Sequence, residues 1–319
     1  MTYLQKLTTR LTNGLSKIPD PIRKRHAEYL RTQQNEDGGF SGREGGSDLY
    51  YTGFALRGLS VLDELSEATA ELAGTYLQTQ LNESASVVEF YSLLYSCLLV
   101  QLGGGGDVLG ESPADWPDRV AEVLESFRTS DGGYGKSQEA PSGSTYHTFL
   151  VGMTYELLGR PFPNPGAVTE FVFSRRREDG GFVELKPMRR SGTNPTAAAI
   201  GTFQLIQGDD FAPEEFTDVG EFLSQLQSME GGICANTRIP VADLLSTFTA
   251  SWTLEQFGQL HTINTDAALR YAKSLQHPEG GFKGGIWDGN IVDDQLTPDQ
   301  VRDVEYTFYG LGVMALLGE

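Results

Sequence analysis

The chain has only two cysteines, four histidines and three tryptophans in 319 residues. Cys97 and Cys234 stand far apart and outside any Cys-x-x-Cys spacing, which argues against a disulfide framework and suits a reducing compartment. Both read as small apolar fillers. Positive charge is also scarce: 24 Lys and Arg against 43 Asp and Glu give a formal net charge of −19. That balance repels nucleic-acid phosphates and anionic lipid heads, so an anionic ligand would need a local basic pocket. No apolar run is long enough to span a bilayer, and Met1 to Lys6 lack the apolar core of a signal peptide. These absences predict a cytoplasmic protein without membrane insertion or nucleic-acid binding.

What is abundant is a repeated phrase. Gly38-Gly39-Phe40, Gly132-Gly133-Tyr134, Gly180-Gly181-Phe182, Gly231-Gly232-Ile233 and Gly280-Gly281-Phe282 each follow one or two acidic or polar residues. Their spacing is about 47–51 residues, with a double step where one repeat near Ala85 has lost its glycines. Nine residues before the phrases stand Tyr29, Val123, Phe171, Phe222 and Tyr271, and Tyr76 holds that place in the degenerate repeat. Six units of equal length predict one domain over 1–319 rather than two. Its 39% apolar and 21% charged residues are enough for a core and too mixed for disorder.

Each phrase is followed by a polar stretch and then an apolar run that opens with a capping residue, as at Asp48, Ser144, Asp243 and Asp303. The run Phe90 to Leu99 is apolar nearly all round, the mark of a buried inner helix. The helices that end just before a phrase, such as Ile22 to Gln34 and Asp266 to Gln276, are more amphipathic and belong outside. Gly-Gly then supplies positive φ and close backbone approach at the turn between them. Six such hairpins close into an (α/α)6 toroid or extend as an open solenoid; the all-α toroid is the reading adopted.

The motifs Gln34-x-x-x-Gly38-x-Phe40, Gln227-x-x-x-Gly231-x-Ile233 and Gln276-x-x-x-Gly280-x-Phe282 resemble the glutamine-led repeat of the α/α-toroid superfamily, with Phe or Ile where cyclases usually carry Trp. That superfamily holds the protein prenyltransferase β subunits and the class II terpene cyclases. The resemblance implies an aromatic-lined central funnel for an isoprenoid or its diphosphate. Candidate lining residues on the inner helices are Tyr50, Tyr51, Phe54, Phe90, Tyr91, Tyr146, Phe203, Phe248, Trp252, Tyr306 and Tyr309, each of which could equally be ordinary core.

The ending Asp303-Val304-Glu305-Tyr306-Thr307-Phe308-Tyr309-Gly310 is similar to the last inner helix of geranylgeranyl transferase β subunits, Asp-x-x-His-Thr-x-x-Gly, with Tyr306 at the zinc-ligating His. Asp243 matches the Asp of the family's Asp-x-Cys helix start, and Leu245 stands at the Cys. The resemblance thus implies a zinc site that keeps only Asp243, and zinc is not expected there. Chemistry at that place would fall to Asp243, Tyr306 and His147. Thr193 stands where the family carries a His, and its Arg-x-x-Lys is reduced to Arg238. Arg189, Arg190 and Lys186 either contact a diphosphate or are solvated surface charges. Asp243, Asp303 and Glu305 either cap helices or form a magnesium-type site. His26, His261 and His277 read as surface or turn residues. The cyclase acid motif Asp-x-Asp-Asp has only Ile291-Val292-Asp293-Asp294 as a partial match. An α-subunit-like partner or a homodimer is compatible with the resemblance.

Overall fold

A computed structural model describes residues 1–81, 86–110, 112–285 and 302–318; Ala85 and Asp293-Asp294 lie outside them. After α1 (Tyr3–Leu15), outer and inner helices alternate: α2 (Asp20–Thr32), α3 (Leu49–Val61), α4 (Glu67–Gln80), α5 (Val87–Leu102), α6 (Trp116–Ser126), α7 (Thr145–Leu157), α8 (Pro165–Ser174), α9 (Thr193–Gln207), α10 (Thr217–Ser224), α11 (Leu244–Gln256), α12 (Thr265–Ser274) and α13 (Val304–Leu317). Each odd-numbered helix from α3 to α13 packs on the next, and α13 packs back on α3. The ring is closed, as a toroid requires and a solenoid does not. Four inner helices begin where the sequence places their caps, and Ser86 caps a fifth. Asp48, Ser86, Ser144, Asp243 and Asp303 each accept a first-turn N–H through a side-chain oxygen.

The glycine phrase is the joint of the ring. The first glycine of each pair has φ between +83° and +101°, a region that costs a residue with a Cβ about 1–3 kcal/mol. The second lies against the ring found nine residues before the following phrase. Gly39 faces Tyr76, Gly133 faces Phe171, Gly181 faces Phe222, Gly232 faces Tyr271 and Gly281 faces Tyr29, so a Cβ would collide with each ring. The next residue's N–H then donates to a threonine on the inner helix: Phe40 to Thr52, Tyr134 to Thr148, Phe182 to Thr196, Ile233 to Thr247 and Phe282 to Thr307, at 2.9–3.1 Å. The motif glutamine ties the turn to the next outer helix, for example Gln227 Nε2 to the carbonyls of Gly231 and Asn264. In the degenerate repeat Phe90 stands where the threonine should be, four residues past the cap, and Val123 replaces the aromatic ring. There a groove of about 610 Å³ opens between α4, α5 and α6.

Two places differ from the sequence reading. The first is α1, which carries no repeat phrase and lies across the C-terminal ends of the inner helices. Glu156 of α7 accepts the N–H groups of Tyr3 and Leu4, and Arg10 reaches Glu255 of α11 and the carbonyls of Ala315 and Leu316 in α13. The second is His26, which is fully buried rather than exposed: its Nδ1 accepts the Gly281 N–H at 3.0 Å and its ring stacks on Phe282. There the last repeat meets the first.

Burial, with a smaller contribution from the Arg25 charge, pushes the His26 pKa down to about 4. In the unfolded chain it should titrate near 6.5. Its contribution is therefore complete above pH 6.5 and is lost as pH falls toward 4, about 3 kcal/mol in all. Asp243, Asp303 and Glu305, half-buried or buried, have pKa values raised by desolvation and act in the opposite sense. The measurement is thus the difference in denaturation midpoint between the wild type and His26→Leu at pH 7.5 and 5. A pH-independent difference would contradict the buried neutral imidazole.

Candidate functional site: a cavity at the centre of the ring

Counting from each cap sorts the inner-helix residues into layers. Two residues past the caps stand Tyr50, Val88, Tyr146, Asn194, Leu245 and Glu305, and the first five line a central cavity of about 440 Å³. One turn deeper the wall is Phe54, Tyr91, Phe149, Ala197, Ala198, Phe248, Phe308 and Tyr309, five and six residues past the caps. At nine residues come Arg57, Met153 and Trp252, and Tyr3 and Leu7 of α1 form the floor. The wall is largely aromatic: Phe54 meets Tyr50 and Tyr309 edge-on, and Phe248 meets Phe308 and Tyr309. The Trp252 Nε1–H donates to the Tyr3 hydroxyl at 3.0 Å, closing the bottom layer.

The polar groups of the site gather at its mouth. Tyr50 donates its hydroxyl to Glu305 at 2.7 Å, and burial raises the pKa of both. Partial desolvation at the mouth raises the Tyr146 phenol as well. Glu184, on the loop before α9, lines the cavity and accepts from the hydroxyls of Ser144 and Thr145. Asn194 accepts from Thr249 at 2.9 Å. The mouth therefore carries carboxyl groups, and the one cation among the described lining residues is Arg57, at the bottom.

Of the sequence-predicted lining set, Tyr50, Phe54, Tyr91, Tyr146, Phe248, Trp252 and Tyr309 reach the cavity. Phe90, Phe203, Tyr51 and Tyr306 do not, and their positions explain it. Phe90 stands four residues past its cap and borders the outer groove. Phe203 stands eleven past and packs on Phe173 and Phe216, away from the centre. Tyr51 and Tyr306, three past, fold back over Gly42 and Gly284; Arg43 lies over the Tyr306 ring and pairs with Asp303 at 3.3 Å. His147, at the same level, turns to Ser144, its Nδ1 2.9 Å from the hydroxyl, and burial lowers its pKa. Asp243 spends both oxygens on Ser246, at 2.6 Å to its N–H and 2.9 Å to its hydroxyl. The three residues assigned to chemistry do not converge on the cavity, and among the described residues no three His, Cys, Asp or Glu side chains form a metal cluster. Arg189, Arg190 and Arg238 are exposed on the loops leading into α9 and α11 and do not line the cavity.

A ring of inner helices joined by glycine turns around an aromatic cavity accompanies a sequence match to the prenyltransferase alpha-alpha toroid domain over residues 22–78 and 69–319. The chain belongs to that family. No curated protein matches this chain in sequence. Among solved structures it is similar to Candida albicans protein geranylgeranyltransferase-I complexed with GGPP, at 13% identity and a TM-score of 0.66, over 91% of this chain and 89% of that one. It is also similar to a type II terpene cyclase from Scytonema in complex with geranylgeranyl dihydroxybenzoate, at 11% identity and a TM-score of 0.62, over 98% of both chains. An alpha-1,6-mannanase from Salegentibacter sp. follows at 11% identity and a TM-score of 0.58, over 93% of this chain and 98% of that one. At such identities the likeness is one of fold. No described helix is long and apolar enough to cross a membrane.

The toroid's floor and the one cation among its described lining residues escaped the sequence reading. Thr2 and Gln5 form a capping box and Leu4, Leu7, Leu11 and Leu15 follow at helical spacing, a signal for α1 that was there to be read. Arg57 gives no such signal. A lone arginine in an apolar helix acquires meaning only when its layer is known.

Proposed function

We propose that this prenyltransferase toroid holds an isoprenoid chain in its central cavity. The observation that carries the reading is a cavity of about 440 Å³ walled by aromatic and aliphatic side chains from all six inner helices and closed below by α1. Its size lies in the range of pockets that bury a small molecule. Ten methylenes buried there would contribute about 8 kcal/mol before the cost of ordering the chain. The likeness to proteins solved with geranylgeranyl ligands agrees with this. The reading includes the single-domain organisation and cytoplasmic location expected from the sequence.

The family's zinc does not fit the residues present. Asp243 is occupied as a helix cap, Leu245 offers no donor and lines the cavity, and the Tyr306 ring is folded over Gly284. Thiolate activation by zinc is therefore no part of the proposed function. A diphosphate at the mouth would face Glu184 and Glu305, and could meet Arg189, Arg190 and Arg238 only outside the cavity. Titration with fluorescent analogues of geranylgeraniol and geranylgeranyl diphosphate tests this. Saturable binding of the alcohol analogue, unaffected by chelator and at least as tight as the diphosphate, is expected; absence of binding by either ends the proposal.

A second reading, cyclisation started by a carboxylic acid, has Glu305 in its favour: burial raises its pKa and it accepts the Tyr50 hydroxyl at the mouth. Against it, the Arg57 guanidinium lies 4.0 Å from the Phe54 ring centre and 4.8 Å from that of Phe308. Those π-faces already hold a cation, and a carbocation beside them would be repelled. Hydrocarbon analysis after incubation with squalene or geranylgeraniol should reveal no cyclic product.

A further inference from the structure

We propose that Arg57 receives a carboxylate at the buried end of the ligand, so that the bound molecule is an isoprenoid acid held head-down. This rests on the reading that the cavity holds an isoprenoid chain. Arg57 lines the cavity beside the α1 floor, nine residues past the α3 cap. Its Nε donates to the Gly53 carbonyl at 3.1 Å, and that is its one hydrogen bond to the described residues. It makes no ion pair with them: Glu156 is turned to the α1 backbone, Glu255 to Arg10, and Glu305 to Tyr50 at the opposite end. Neither Nη atom has a hydrogen-bond partner among the described residues, and the guanidinium carbon lies 4.0 Å from the Phe54 ring centre and 4.8 Å from that of Phe308.

A guanidinium in an apolar site without a counter-ion is costly, and the aromatic faces offset only part of that cost. A void of about 20 Å³ below it, toward Thr8 and Tyr95, has room for one water. One water can take an N–H but leaves the guanidinium without a counter-ion. The open fork matches the two oxygens of a carboxylate in one plane. The polarity of the cavity agrees: cation at the closed end, carboxyl groups at the mouth, so an anionic head is favoured deep and disfavoured at the entrance. The chain's methylenes would then lie along the Phe54, Tyr91 and Phe248 layer.

Geranylgeranoic acid and geranylgeraniol share a chain and differ at the head. In the wild-type protein at pH 7.5 the acid should bind about 30-fold more tightly than the alcohol, as expected for a desolvated charged pair. Arg57→Met should bring the two affinities to within about threefold, and Arg57→Lys should keep an intermediate preference, because it retains the charge but loses the fork. Carboxyl-labelled acid should show the ionised carbon shift when bound to the wild type. Equal affinities in the wild type, or an unchanged preference in Arg57→Met, would overturn the assignment. If the alcohol binds and the acid binds no better, this inference alone falls. If neither binds, the isoprenoid reading falls with it. Should Arg57→Met fail to fold, the wild-type comparison and Arg57→Lys still decide.

Discussion

Phe282→Ala should lower the unfolding free energy by about 3–5 kcal/mol, the cost of removing a large buried ring that its surroundings cannot replace. Phe282 is fully buried, its N–H is held by Thr307, and its ring lies between His26 of the first outer helix and Gly310 of the last inner one. It belongs at once to the start and the end of the chain, so little local collapse can fill the space it leaves. Because the ring is closed by contacts between α2, α3, α13 and the last glycine turn, the loss should be felt by the whole cooperative unit. Chemical denaturation followed by circular dichroism measures it. A loss below about 1.5 kcal/mol would mean that the seam between last and first repeat is looser than described.

Ala198→Trp should weaken binding of a geranylgeraniol analogue about 100-fold or more while leaving the melting temperature within a few degrees of the wild type. Ala198 is buried and lines the cavity six residues past the α9 cap Gly192, on the side with the smallest side chains. An indole there would occupy space proposed for the ligand, and filling a void costs the fold little where the rotamer is free. Loss of about 100-fold corresponds to about 2.7 kcal/mol, less than several buried methylenes contribute. Unchanged binding in a folded Ala198→Trp protein would place the ligand outside the ring.

The fold was legible because each repeat states its geometry twice. The paired glycines mark the turn, and the residue nine places before the following phrase marks what packs on them. Even the defect is written twice: where the glycines are missing, the corresponding ring is Val123 rather than aromatic, and the threonine is Phe90. Loss of the glycines is matched by loss of the ring that packs on them and of the hydroxyl that bonds beside them in the other repeats. The site was less legible, because aromaticity does not say which way a side chain points. Phe203 and Phe248 are alike in composition, but eleven residues past a cap lies on the face of the threonines and five lies on the face of the hollow. Counting from the caps would have separated them; Asn194 and Ala198 would still have been passed over, since small and polar residues carry no signal of lining a cavity. His26 was misplaced for a related reason, since only closure of the ring buries it.

With α1 stretched across one rim, the hollow becomes a sleeve with a blind end. Among the described residues that leaves one opening, so a chain threaded into it would leave last end first. A guest longer than the sleeve is deep would overhang at that opening.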